Sequence, residues 1–243
     1  MIGIDKIYNE DCLEGMKNID DGLIDCIICD MPYNMTANEY DKTVIDLGLL
    51  WEQLYRIIRN DGAILMFAQQ PFTTKLISSN LNGYKYCWYW EKNQGTNFFH
   101  AKQMPIRKIE EIIVFNSKRY NPQMITNQPP TNSSVGSSNG RCYYGSNKRN
   151  YVGGSTERFP SNILYDFKCV DNYHRLHPNQ KPTDLLEYMI KTYTNENDIV
   201  LDPFCGVAST CIAAMNTNRH YIGFEIDKNF FDLAEKRINE HGK

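Results

Sequence analysis

Four consecutive residues, Asp30, Met31, Pro32 and Tyr33, directly follow an apolar run at positions 23–29. A carboxylate accepts hydrogen bonds, a proline turns the chain, and a tyrosine ring offers a flat face. At the carboxyl end of a strand these make a compact holder for a planar ring that bears an amine. Such an amine is a weak nucleophile, because its lone pair is delocalised into the ring. If the Asp30 carboxylate and the main-chain carbonyl of Met31 accept its two hydrogens, the pair is localised and the developing positive charge is stabilised. This chemistry requires no metal and no covalent enzyme intermediate.

A second stretch, residues 202–210, reads Asp-Pro-Phe-Cys-Gly-Val-Ala-Ser-Thr. The preceding Ile199, Val200 and Leu201 deliver Asp202 and Phe204 to a sheet edge, and Gly206 lets the backbone turn toward a ligand before a helix begins. Glu225 lies nineteen residues after Gly206, an offset from which a carboxylate accepts hydrogen bonds from ribose hydroxyls. A dinucleotide loop needs several glycines for its pyrophosphate, whereas Val207, Ala208 and Ser209 follow a single glycine here. A nucleoside ligand without pyrophosphate, such as S-adenosylmethionine, suits the loop better. Lys181 offers a cation for an anionic end of such a ligand, and reads equally as a solvated lysine ahead of a helix.

These residues need an alternating α/β framework. The run at 23–29 reads as a buried strand. Leu47, Leu50, Leu54, Ile57 and Ile58 fall at helical spacing over 47–59, Asn60-Asp61-Gly62 breaks the pattern, and 63–67 reads as a strand. A helix over 71–81 and strands over 84–90 and 110–115 follow. Beyond the middle of the chain, helix 183–193, strand 198–202, helix 208–217, strand 220–226 and helix 230–240 form a βαβα succession. Between them, residues 121–156 are rich in Asn, Ser, Gly, Pro and Gln. That segment holds too little apolar surface to offset its ordering entropy, and it is predicted to be a mobile, substrate-facing loop.

The chain has 243 residues, 42% of them hydrophobic, enough for a substantial core. Its eight cysteines are scattered, no leader opens the chain, and no apolar run approaches a membrane span. The expectation is a reduced, soluble, cytoplasmic protein. Cys26 and Cys29 form a C-x-x-C pair with no second pair of matching spacing, so they read as small hydrophobes in a strand, without a metal. The net charge of −3 conceals an asymmetry: residues 92–175 carry twelve basic and five acidic side chains, the remainder fourteen and twenty-four. A basic segment in an acidic chain reads as a phosphate-facing surface, with Lys92, Lys102, Arg107, Lys108, Arg141, Lys148 and Arg149 as its candidates. The alternative is a solvated basic loop balancing an acidic body.

Taken in order, these motifs resemble the β-type S-adenosylmethionine-dependent DNA amino-methyltransferases, which modify adenine N6 or cytosine N4. The resemblance rests on Asn9-Glu10-Asp11-Cys12-Leu13, on residues 30–33, on the run from Trp90-Glu91-Lys92 to residues 111–115, on Phe159-Pro160, on residues 177–182 (His-Pro-Asn-Gln-Lys-Pro) and on residues 202–210. It implies an α/β fold, a doubly wound, mostly parallel, seven-stranded Rossmann-like sheet with an added hairpin. The catalytic half would span residues 1–91, an inserted target-recognition region 92–176, and the cofactor-binding half 177–243. Asp11 and the Cys12 backbone would contact the cofactor's adenine, and Glu225 its ribose. Asp202, Phe204 and Gly206 would line its methionine part, with Lys181, Ser209 and Thr210 near its carboxylate. Tyr33 would stack on a base flipped out of duplex DNA.

Two positions depart from the family pattern: Met31 replaces the first of two usual prolines, and Ala208 stands where glycine is common. Asp at position 30 leans toward adenine N6 over cytosine N4. A homodimer and a cognate restriction endonuclease, not required for activity, are further expectations of the resemblance. The rival readings are an RNA or protein-glutamine acceptor, a nicotinamide-dependent oxidoreductase, and a DNA-binding module without activity.

Overall fold

A computed structural model of the protein describes residues 2–33, 45–131, 153–171, 173–177 and 179–242. The chain divides into two compact units, residues 1–121 together with 162–243, and residues 122–161.

In the larger unit, strand β1 (Lys6–Tyr8) is followed by helix α1 (Cys12–Met16) and strand β2 (Ile24–Cys29), buried along its whole length. Helix α2 (Leu47–Ile57) buries Leu50, Trp51, Leu54 and Ile57 on one stripe and is capped by the Asp46 carboxylate. Its end falls two residues before the expected boundary, because Ile58 turns extended and opens strand β3 (Ile58–Ala68) directly. Asn60-Asp61-Gly62, expected to separate helix from strand, lies inside β3, where the pairing with β2 shifts register. A Cβ at Gly62 would sit 2.7 Å from the carbonyl oxygen of Asp25, so that close crossing requires glycine.

Helix α3 (Phe72–Ser79) leads into the long hairpin of β4 (Tyr84–Thr96) and β5 (Arg107–Phe115), with a 3-10 turn at Phe98–His100 near its tip. Both strands outrun their predicted lengths. Their outer segments, 93–96 and 107–109, are exposed and largely polar, and hold strand geometry by pairing with each other rather than by burial. Strand β6 (Ile163–Leu164), helix α4 (Thr183–Tyr193), strand β7 (Ile199–Asp202), helix α5 (Ser209–Asn216), strand β8 (His220–Phe224) and helix α6 (Lys228–His241) complete the unit.

The described strands form one sheet in the order β1-β8-β7-β2-β3-β5-β4-β6. Pairing is parallel except where β5 inserts antiparallel between β3 and β4. The sheet thus has eight strands where the family resemblance implied seven, its two edges being the short β1 and β6.

Each face of the sheet buries its own core. One holds Ile24, Ile27 and Cys29 with α2 residues, and the other holds Cys26, Ile28, Leu65, Trp88, Trp90, Ile112 and Val114 with α4 and α5. Cys26 and Cys29 therefore point to opposite sides, as three-residue spacing on a strand dictates, and cannot ligate together. Of the expected mobile loop, 132–152 lies outside the described residues. The flanking segments of the smaller unit meet in an Ile125–Arg158 bridge, continued by Gln128 to Thr156 at 2.9 Å and Thr131 to Ser155 at 3.0 Å. There the Arg158 guanidinium donates to the carbonyls of Ser155, Glu157 and Pro129.

Candidate active site

In parallel α/β sheets ligands gather at the carboxyl ends of the strands, where loops diverge to the two faces. Here β2 delivers Asp30, β7 delivers Asp202 and β8 delivers Glu225 to that edge, and all three line one cavity of about 930 Å³.

Strand periodicity sets the first wall. Residues 26, 28 and 30 alternate onto the α4/α5 face, so Asp30 emerges in phase with buried Cys26 and Ile28. Its Oδ1 accepts the Tyr33 hydroxyl at 2.7 Å and its Oδ2 accepts the Lys181 ammonium at 2.6 Å. Burial pushes the Asp30 carboxyl above its ordinary range, while Lys181 and the Tyr33 hydroxyl draw it back. The Tyr33 ring stacks on Phe72, with centroids 5.1 Å apart and planes 26° from parallel. Met31 is buried in the core beneath the loop, which accounts for an apolar side chain where the family pattern has proline.

The expected nucleotide loop lines the same cavity. Gly206 has φ +51 and open space where a Cβ would stand. Its N–H donates to Glu225 Oε2 at 2.9 Å, and the Asp227 N–H donates to Oε1 at 2.7 Å. Two backbone amides thus orient the Glu225 carboxylate and leave lone pairs on both oxygens. Asp202 accepts from the Phe204 N–H at 3.0 Å, and burial pushes its carboxyl up to about 7 against the Thr210 hydroxyl bond.

Ala208 adopts φ 60, the left-handed region in which its methyl costs about 1 kcal/mol; glycine would carry no such cost. Arg237 reaches across from α6 to Val207 O at 2.8 Å and Ser209 Oγ at 3.0 Å, pinning the loop. Asp11 caps α1 through Leu13 N at 2.8 Å, and Cys12 is buried beside it with its thiol pushed up to about 12. Asn9 ties this corner to β8 through the carbonyls of Glu225 and Ile226, at 2.8 and 3.1 Å.

One expected residue stands elsewhere than foreseen, and a second has unforeseen partners. Lys92 does not face outward to phosphates; its side chain is only 9% exposed and its ammonium lies 3.2 Å from Glu110 Oε2. Lys181 has its ammonium between Asp30 Oδ2 and Glu110 Oε1, the latter at 2.9 Å. Burial would lower the Lys181 ammonium, but the two facing carboxylates outweigh it and hold it well above its ordinary value. Of the remaining basic candidates, Lys102 is exposed near the hairpin tip and Arg107 lines the cavity rim. Lys108 pairs with Glu91 at 3.1 Å. Arg141, Lys148 and Arg149 lie outside the described residues.

Sequence reasoning missed Glu110 and Arg237. Glu110 carried a readable signal, since it shares its strand face with buried Ile112 and Val114. Arg237 carried none, being one cation of a charged terminal helix. Among the described residues no group of three or more His, Cys, Asp or Glu side chains is placed to hold a metal ion, and no helix is long and apolar enough to cross a membrane.

A family model described as DNA methylase, of the N6/N4 methyltransferases, matches residues 24–236. The chain belongs to the N6/N4 DNA methylase family. Type II methyltransferase M.BglII of Bacillus subtilis is 27% identical over 95% of this chain and 68% of its own length. DNA adenine methyltransferase YhdJ of Escherichia coli strain K12 is 27% identical over 96% of this chain and 82% of its own length. Among solved structures, the M1.HpyAVI–SAM complex superposes with a TM-score of 0.64 at 25% identity, covering 96% of this chain and 98% of the other. For this methylase the shared fold accounts for the sheet order and for a cavity at the strand ends, lined by both the Asp30 loop and the Gly206 loop.

Proposed function

We propose that this methylase transfers a methyl group from S-adenosylmethionine to the exocyclic N6 of an adenine in duplex DNA. The observation that carries the reading is the convergence of Asp30 and Glu225 on one cavity, a hydrogen-bond acceptor for an amine facing an acceptor for ribose hydroxyls. The residues fit the cofactor. Glu225 is oriented by the Gly206 and Asp227 amides with lone pairs to spare, and the loop at Gly206 is open where a side chain would intrude. When bound, S-adenosylmethionine supplies a methyl group on a positively charged sulfur.

The chain's own residues do the rest. Asp30 and the Met31 carbonyl accept the amino hydrogens, which localises the nitrogen lone pair. Pro32 directs the loop, and Tyr33 offers its ring to the flipped base. An ionised carboxylate is a stronger acceptor than a hydroxyl or amide at this position, which favours adenine N6 over cytosine N4. YhdJ, similar over nearly the whole chain, carries adenine in its name.

Duplex DNA suits the exposed hairpin tip, where Lys102 and Arg107 accompany Phe98 and Phe99, 74% and 99% exposed, whose rings can lean on bases. Residues 92–176, with the unit at 122–161, are the region we assign to target recognition. Expression in a methylation-free bacterial host, followed by long-read sequencing that detects modified bases, tests the reading. N6-methyladenine in a fixed sequence context is expected; N4-methylcytosine would reassign the base, and unmodified DNA would remove the activity.

A further inference from the structure

Four charged side chains, three of them buried and one half-buried, meet in one wall of the cavity. In the larger unit, Asp30 follows β2, Lys92 lies on β4, Glu110 on β5, and Lys181 lies just ahead of Pro182, the N-cap of α4. They form a continuous chain: Tyr33 hydroxyl to Asp30 Oδ1, Lys181 from Asp30 Oδ2 to Glu110 Oε1, and Lys92 on Glu110 Oε2. The side chains of Lys181, Glu110 and Lys92 are 10%, 7% and 9% exposed, against 22% for Asp30, the most exposed of the four cavity-lining members. Two carboxylates and two ammonium groups balance, as burial of charge demands.

An ammonium has three N–H donors. Lys181 directs two at Asp30 and Glu110, and its Nζ also lies 4.8 Å from the Phe67 ring centroid, a cation–π contact. A cofactor carboxylate drawing on this ammonium would compete with both protein carboxylates.

We propose that Lys181, braced by Glu110 and Lys92, is the positioning residue that orients the Asp30 carboxylate and keeps it ionised for the acceptor amine, rather than the anchor of the cofactor's carboxylate. The inference rests on the methyl-transfer reading above. Without Lys181, Asp30 and Glu110 would face each other as buried carboxylates with one cation left, and a shared proton would turn an acceptor into a donor. The groups facing this pair are Tyr33 and Cys29 from the β2 end, Glu110 from β5, Lys92 from β4, Asp202 from the β7 loop, and His177, held neutral by burial and by Lys181.

The test compares Lys181→Met, Lys181→Arg and Glu110→Gln in the full chain. It measures S-adenosylmethionine affinity by calorimetry and single-turnover methylation from pH 5 to 9 at saturating cofactor. For Lys181→Met the expected result is an S-adenosylmethionine Kd within about twofold of wild type, a rate about 100-fold lower, and an acid limb displaced upward by about one to three pH units. Lys181→Arg should recover much of the rate. Glu110→Gln, which keeps the side-chain shape should Lys181→Met fail to fold, should slow transfer through lost positioning of Lys181, with an unchanged Kd. Its acid limb should not move upward, since the Glu110 charge itself raises Asp30; the acid-limb criterion is read on Lys181→Met. A tenfold weaker Kd with an unchanged rate at saturation would assign Lys181 to the cofactor and overturn the proposal, as would a slower rate with an unmoved acid limb. Wild-type protein that binds cofactor but methylates no DNA would instead defeat the functional reading.

Discussion

At the scale of single residues, the proposed reaction gives Asp30 a role that no neighbour can take over, because the amine needs an acceptor at that one place. Asp30→Ala should lower methyl transfer by at least about 100-fold, with S-adenosylmethionine affinity retained, as read by incorporation of a radiolabelled methyl group and by calorimetry. Near-normal incorporation would reject the assignment. Met31 illustrates a different dependence. The family pattern made it look like a looser version of proline, but its side chain is buried in the core, and its N–H bonds the Cys29 sulfur. Met31→Pro loses that amide and most of the buried volume, so it should destabilise the fold by about 2–3 kcal/mol, measured by urea unfolding, despite restoring the commoner motif.

Elements decide what the loops can reach. The β4–β5 hairpin carries its outer segment beyond the two cores, so Arg107 is held by pairing with Thr96 rather than by burial, and Lys102 sits exposed in the connecting turn. Removing both charges in a Lys102→Ala/Arg107→Ala variant should weaken DNA binding across sequences. It should also make the dependence of log K on log salt shallower by about 2, measured by fluorescence anisotropy at several salt concentrations. An unchanged slope would place the phosphate contacts elsewhere. This hairpin also shows why prediction stopped short: its core-facing residues alternate and were readable as strands, whereas 93–96 and 107–109 are exposed, polar apart from Ile109, and paired only with each other.

For the whole molecule, the cavity is bought with buried charge, and Asp202 shows the consequence for stability. Its carboxyl is raised to about 7 by burial when folded, against an ordinary value near 4 when unfolded. The folded state therefore holds the proton more tightly. Its stabilising contribution is complete below about pH 4 and is lost as pH rises toward 7. Asp202→Asn keeps an acceptor for the Phe204 amide but does not ionise. Without ligand it should melt about 3 °C or more above wild type at pH 8, with the difference shrinking toward pH 5; calorimetric melting curves across that range check it. A constant offset at every pH would point to packing rather than ionisation.

Local pattern alone determined much of this protein. The Asp30 loop, the Gly206 turn and Glu225 each follow a short apolar strand, so their place at a sheet edge depends on residues within a few positions of them. The helix stripe of α2 and the buried run of β2 were legible for the same reason. Tertiary structure decided what those side chains meet. Glu110 reaches Lys181 only because β5 inserts antiparallel between β3 and β4, and Lys92 reaches Glu110 only through the register of β4 on β5. Period-two alternation sets which face a strand residue occupies, but not which strand lies beside it. The ion pairs that join Lys92 and Lys181 to Glu110, and Lys181 to Asp30, are a property of strand order, which no local stretch of sequence contains.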